Sequence, residues 1–170
     1  MSYSTIYRKC QALTGHTLVD FVRILRLKKA AVLITKNGFT ISETALDNLP
    51  SGYVTCDLQV DEEISVNDLL YALMVKSAND AAYALAEHVG GSIDAFADMM
   101  NIKAREIGCT NTHFVNPNGI HDERHYSTAY DLYIMAKYAM QNETFRNLVA
   151  TKEYTLPATN KYPNADRSFS

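Results

Sequence analysis

The chain contains no run of about 18 apolar residues, so no segment is long enough to cross a bilayer as a helix. Its opening, Met1-Ser-Tyr-Ser-Thr-Ile-Tyr-Arg-Lys, has neither an apolar stretch nor a small-residue cleavage site. Nothing written there would export the chain, and a cytoplasmic location is expected of it as it stands. Cysteine is sparse and odd in number: Cys10, Cys56 and Cys109 lie far apart with no Cys-x-x-Cys. That argues against a disulfide framework or a zinc site and leaves buried or idle thiols. What the chain does have is 47% hydrophobic residues in a length of 170, enough for one domain with a real core.

Charge is divided unevenly along the sequence. Residues 1–46 carry seven Lys/Arg against two Asp/Glu, a net of +5, whereas residues 47–170 carry nine against seventeen, a net of −8. Such asymmetry predicts two pieces with different partners, 1–46 and 47–170, meeting at the turn-forming stretch Asp47-Asn-Leu-Pro-Ser-Gly52.

The basic piece reads as two helices and the start of a third. Ser2 is placed to cap a helix with Ile6, Cys10 and Leu13 on one face and Gly15 at its end. Thr17 and Asp20 form a capping-box pattern that opens a longer helix through Phe21, Val22, Leu25, Val32 and Leu33, stopped by Asn37-Gly38. Thr40 and Glu43 repeat the box over Ile41 to Leu46. Ser-Thr-Ile-Tyr-Arg-Lys-Cys-Gln-Ala-Leu-Thr-Gly and Phe-Val-Arg-Ile-Leu-Arg-Leu-Lys-Lys-Ala-Ala resemble the first recognition helix and the linking helix of AraC-type DNA-binding domains. That resemblance implies DNA contacts from Ser4, Arg8 and Lys9, short polar and basic side chains suited to the major groove and its phosphates. The second recognition helix has no counterpart, so the expected binding is weak, salt-sensitive and non-specific. A solvated basic helix face is the competing account.

The acidic piece is predicted to be mainly α (α+β), with few short strands. Val54, Cys56, Leu58 and Val60 alternate as a half-buried strand would. Ser65 with Asp68 caps a helix bearing Val66, Leu69, Leu70, Leu73 and Met74; a second runs from about Asp80 to Val89 and stops at Gly90-Gly91; Ser92 caps a third that ends before Gly108. After an extended His113-Phe-Val115 and an Asn-Pro-Asn-Gly turn, Ser127 is expected to open a fourth helix to about Met140. Glu143 to Ala150 reads as a short fifth, and Lys152 to Leu156 as a strand.

At the joint of the first two helices stands Lys76-Ser-Ala-Asn79, a Ser-x-Asn element. Alone it is a weak signal, because Ser and Asn before a helix commonly cap backbone amides. The surrounding blocks, among them Leu-Leu-Tyr-Ala-Leu-Met-Val, Ala-Leu-Ala-Glu-His-Val-Gly-Gly, Asn-Thr-His-Phe-Val-Asn-Pro-Asn-Gly and His-Tyr-Ser-Thr-Ala, resemble in order the middle of the serine D-alanyl-D-alanine carboxypeptidases, the low-molecular-weight penicillin-binding proteins. The resemblance implies the helical lobe of a β-lactamase-like fold, with Ser77 relaying a proton toward the leaving amine and Asn79 holding the substrate amide oxygen. It also implies peptidoglycan stem peptides and β-lactams as partners, no cofactor, and an extracytoplasmic, cell-wall location for the parent family. Two elements of that chemistry are missing: no Ser or Thr has a Lys three positions on, and no Lys-Thr-Gly occurs. The expectation is therefore a catalytically incomplete fragment, fused near residues 40–52, of marginal stability. A DNA-binding fragment and a non-catalytic interaction domain are the alternatives.

Two further features are set aside on geometry. Lys76 adjoins Ser77 in sequence, and neighbouring helical residues diverge by about 100°, so it is badly placed as a base for Ser77. His121-Asp-Glu-Arg-His125 pairs two His four apart, but Gly119 before it and Ser127 after it predict a loop, with no third metal ligand evident.

Overall fold

The computed structural model describes residues 38–47, 49 and 52–170. The two helices read over residues 2–37, with Cys10 and the DNA-contact candidates Ser4, Arg8 and Lys9, lie outside the described residues. The chain runs β1 (Gly38–Thr40), α1 (Glu43–Asp47), β2 (Glu63–Ser65), α2 (Val66–Val75), α3 (Asn79–Gly90), α4 (Ile93–Glu106), α5 (Ala129–Ala139), α6 (Glu143–Ala150), β3 (Tyr154–Leu156) and β4 (Arg167–Phe169). It is mainly helical, as the patterning predicts. Among the described residues, β1 pairs with β2 in one antiparallel ribbon, Thr40 opposite Glu63, and β3 pairs with β4 in another, Tyr154 opposite Phe169.

Helix starts follow local capping chemistry. Ser65 Oγ accepts from the Asp68 amide at 3.0 Å, Ser92 Oγ from Ala95 at 3.1 Å, and Asn142 Oδ1 from Phe145 at 3.2 Å. The fourth cap departs by one residue: Thr128, in an extended conformation, accepts from Asp131 N at 3.1 Å. Ser127 instead turns its hydroxyl to Thr112 Oγ1, 2.9 Å away. Thr40 likewise is no cap, because it is spent in β1; Ser42 Oγ takes the Ala45 amide at 3.1 Å and starts α1.

The alternating segment from Val54 to Val60 is not a strand. Asp57 is left-handed (φ 59°), which breaks the extended run, and the amides of Cys56 and Leu58 donate to a side-chain carboxylate in place of a neighbouring strand. Cys56 and Leu58 are buried, as their spacing suggested, while Val54 and Val60 are exposed.

Helix α3 is the centre of the fold, with every residue from Asn79 to Ala86 buried. Its alanines at 81, 82, 84 and 86 let neighbours approach closely, and they do so on two sides. One core joins Ala81, Ala82, Ala84 and Leu85 to Ile41 and Ala45, to Leu69, Leu70 and Leu73 of α2, to Phe145 and Leu148 of α6, and to Leu156 and Phe169 of the C-terminal ribbon. A second joins Ala86 to Phe96, Met100 and Ala104 of α4, to Cys109 and Phe114, and to Met135 of α5. At the α3–α4 corner Gly90 packs so tightly that a Cβ there would lie 2.8 Å from Phe96. Ile41, Ala45 and Leu46 fall on the basic side of the boundary read from charge, and they pack into the first core, with Ser42 hydrogen-bonded to Glu87.

Candidate active site

Helix α2 ends at Val75, and the chain turns into α3 within three residues. Lys76 is still right-handed (φ −90°, ψ −13°), Ser77 is left-handed (φ 63°), and Ala78 is extended (φ −65°, ψ 117°). The Ala78 amide reaches back to the Ala72 carbonyl at 3.3 Å. A left-handed residue just past a helix end usually is glycine, and a residue with a Cβ held there carries about 1–2 kcal/mol of strain. Strain of this kind persists where the surroundings over-determine the turn.

The next two residues supply that over-determination. Asn79 is 2% exposed, and its backbone N and its Nδ2 both donate to the Val54 carbonyl at 2.9 Å. Asn79 Oδ1 accepts from Asn118 Nδ2 at 3.1 Å. Asp80, also 2% exposed, takes four protein N–H contacts on its carboxylate: Cys56 at 3.0 and 3.1 Å, Leu58 at 3.0 Å and Ala81 at 2.9 Å. It lies in the first turn of α3, where the helix dipole favours a negative charge. Residues 54–58 are thus strapped across the head of α3 by one amide and one carboxylate.

The second wall comes from the 111–131 segment. Asn116 Oδ1 accepts from the Gly119 amide at 2.7 Å, and Asn116 Nδ2 donates to the Ile120 carbonyl at 2.7 Å, closing a turn with Gly119 left-handed (φ 79°). This turn places Asn118 fully buried against Asn79. It is anchored by Asn101, whose amide pairs with both backbone groups of Phe114 at 2.8 Å, and by Asp131, which accepts from Asn111 N at 2.8 Å and Thr112 Oγ1 at 2.7 Å.

Both candidates read from the sequence, Ser77 and Asn79, stand at this junction, yet in different settings: Ser77 is half-buried on the turn, while Asn79 is buried beneath the strap. Lys76 points away to the C-terminal ribbon, its Nζ 5.3 Å from the Phe169 ring centroid. The sequence reading missed Asp80 and Asn118. Asp80 looked like an ordinary first-turn acid, and Asn118 like turn chemistry. Neither thiol among the described residues is poised as a nucleophile. Burial, reinforced by the Asp80 charge, pushes Cys56 up, and burial pushes Cys109 up to about 11. His121–His125 is a loop, where Asp122 is held well below the usual carboxylate range, at about 2, by its hydrogen bonds from Arg124.

Residues 18–168 match the family model of Peptidase S11, D-alanyl-D-alanine carboxypeptidase. The chain belongs to this family. The match begins inside the basic segment 1–46 and runs through both cores. The chain is 34% identical over 170 residues to a D-alanyl-D-alanine carboxypeptidase of Streptomyces sp. strain K15, covering 93% of this chain and 57% of that protein. It is 40% identical over 112 residues to the carboxypeptidase DacF of Bacillus subtilis, covering 66% of this chain and 28% of that one. The crystal structure of the Streptomyces K15 DD-transpeptidase superposes with a TM-score of 0.75 at 32% identity, over 90% of this chain and 60% of that one. The chain therefore spans between about a quarter and three fifths of these relatives. Among the described residues, no helix is long and apolar enough to cross a membrane.

Proposed function

We propose that this chain carries the Ser-x-Asn wall of a D-alanyl-D-alanine acyl-transfer site and does not form an acyl-enzyme by itself. In this reading Ser77 passes a proton toward the departing D-alanine amine, and the Asn79 amide holds the substrate's amide oxygen. The observation that carries it is the strained left-handed Ser77 held between two helices, next to an Asn whose amide is fixed on both sides. No Ser-x-x-Lys or Lys-Thr-Gly stands in the 170 residues, so a nucleophile activated by lysine is missing from the chain as given.

A fluorescent penicillin and an N-acyl-D-alanyl-D-alanine peptide test the two halves separately. The penicillin is expected to leave no covalent label on the chain, and labelling would overturn the inactivity. The peptide, at millimolar concentration, is expected to shift the amide resonances of Ser77 and Asn79. Shifts confined to other residues would remove the substrate reading.

For residues 1–46 the proposal remains a DNA-binding remnant with Ser4, Arg8 and Lys9 as contacts, supported by the net charge of +5 and the helix-turn-helix resemblance. The pairing of β1 with β2 weighs against a segment that separates cleanly at residue 46. A mobility shift that weakens with salt and with Arg8→Ala supports DNA binding, and one indifferent to both removes it.

A further inference from the structure

Asn79 poses a problem that its own side chain does not solve. The two ends of a primary amide are nearly the same size, and only hydrogen-bonding partners decide which way the oxygen points. For Asn79 the choice matters, since a substrate carbonyl needs the nitrogen, not the oxygen. The partners that cannot themselves flip are backbone groups. One is the Val54 carbonyl, an acceptor only, which meets Asn79 Nδ2 at 2.9 Å. The other is the Ile120 amide, a donor only, which meets Asn118 Oδ1 at 3.3 Å. Between them lies the contact from Asn118 Nδ2 to Asn79 Oδ1 at 3.1 Å. Read in order, Ile120 N–H donates to Asn118, Asn118 donates to Asn79, and Asn79 donates to Val54. Every step has one donor and one acceptor. Flipping either amide alone would set oxygen against oxygen or amine against amine.

We propose that Asn118 is a positioning residue that sets the orientation of the Asn79 amide, through this relay running from the Ile120 amide to the Val54 carbonyl. Its burial fits the role: Asn118 is 0% exposed and Asn79 2%, so water does not offer either amide an alternative partner of equal standing. The Tyr83 phenol, one turn along α3 from Asn79 and hydrogen-bonded to Asn118, adds a further contact on Asn118. The relay couples two segments 39 residues apart in sequence, the 116–120 turn and the head of α3. The functional meaning of this orientation rests on the proposed substrate role of Asn79; the relay itself does not.

Side-chain amide exchange in the full 170-residue chain, followed by 15N NMR, tests it. The Asn79 NH2 protons are expected to exchange at least about tenfold more slowly than those of the exposed Asn147. Asn118→Leu, similar in volume but without polar atoms, is expected to speed Asn79 side-chain exchange by about tenfold while backbone amides of Leu85 and Ala86 change by less than about twofold. Equal acceleration of side chain and backbone would mean that Asn118 merely supports the fold, and it would overturn the proposal. So would no change at Asn79. Should Asn118→Leu not fold, Asn118→Ala carries the same readout, and a wild-type Asn79 exchanging as fast as Asn147 overturns the relay without any variant. An N-acyl-D-alanyl-D-alanine titration separates the two readings. If the peptide perturbs neither Ser77 nor Asn79, the substrate role falls, while the exchange ratios still decide the relay.

Discussion

Two buried carboxylates in this molecule are neutralised in opposite ways. Asp80 is surrounded by backbone amides from the strap and from its own helix, with no cation among its hydrogen-bond partners in the described residues. Glu62, 0% exposed, is met by the guanidinium of Arg167, by Thr159 Oγ1 at 2.9 Å and by the Gln59 amide at 3.1 Å. Arg167 also donates to the Cys56 carbonyl at 2.9 Å and stacks over Tyr162, with its guanidinium carbon 4.2 Å from the ring centroid. The first arrangement uses groups the fold brings within one turn of the candidate site. The second recruits a side chain from the far end of the chain and closes the C-terminal ribbon onto the strap. Amides fixed in the backbone orient a carboxylate rigidly, whereas an ion pair on two long side chains tethers distant segments and tolerates replacement as a pair.

The largest effect should come from breaking the amide-held carboxylate. Asp80→Ala strips the acceptor from the buried amides of Cys56, Leu58 and Ala81 at once, and is expected to destabilise the chain by about 4 kcal/mol in urea unfolding. A loss under about 1 kcal/mol would show that the strap is held by packing alone. Breaking the ion pair should cost somewhat less. Arg167→Ala leaves Glu62 buried without its cation, with an expected loss of about 3 kcal/mol. Replacing both partners, Glu62→Leu with Arg167→Met, should recover most of that loss. No double replacement involving Asp80 is expected to behave so, because the N–H groups it serves are main chain and cannot be replaced. Recovery at neither site would collapse the distinction.

That contrast also explains what was legible in the sequence. The helices between residues 66 and 150 and two of their caps were readable, since Ser65 and Ser92 act through neighbours three residues away and the apolar spacing is local. The Ser-x-Asn turn was readable for the same reason. Asp80 and Asn118 were not, because the contacts that tie them into the site, to Cys56, Leu58 and Asn79, span 22 to 39 residues and neither carries a spacing signal. The strap deceived for a specific reason: the alternation of Val54, Cys56, Leu58 and Val60 records burial at its middle two positions, but periodicity does not reveal that the amides bond to Asp80. The Glu62–Arg167 pair, 105 residues apart, left no trace that a local pattern could show.

A smaller effect separates the two regions by pH. Burial raises the Cys109 thiol from its ordinary 9.0 to about 11, and Cys56, beside Asp80, is raised too. Between these values the unfolded chain loses thiol protons that the folded chain keeps, so the unfolded state binds fewer protons and stability falls as pH rises from about 9 to about 11. Urea midpoints at pH 8 and pH 10 should show the drop, and Cys109→Ala should make it shallower. Asp80→Asn removes the neighbouring charge from Cys56 and should make that thiol react faster with an aromatic disulfide at pH 9 in the folded chain. A Cys56 rate unchanged by Asp80→Asn would mean that burial alone sets its reactivity.

The smallest effect isolates the backbone of the turn that both arrangements serve. Ser77→Ala and Ser77→Gly remove the same hydroxyl, so whatever that hydroxyl contacts is lost equally in both. They differ in one respect: at φ 63° alanine keeps the Cβ strain and glycine does not. Left-handed strain of about 1–2 kcal/mol, less the extra chain entropy glycine loses on folding, about 0.5–1 kcal/mol, leaves Ser77→Gly more stable than Ser77→Ala by about 1 kcal/mol. Paired urea titrations resolve such a difference. If glycine is the more stable, the chain holds a strained residue where a relaxed one would fold better, as expected of a turn shaped for the Ser77 hydroxyl. If Ser77→Gly is instead the less stable by about 0.5–1 kcal/mol, the left-handed turn carries no strain and ceases to argue for a site.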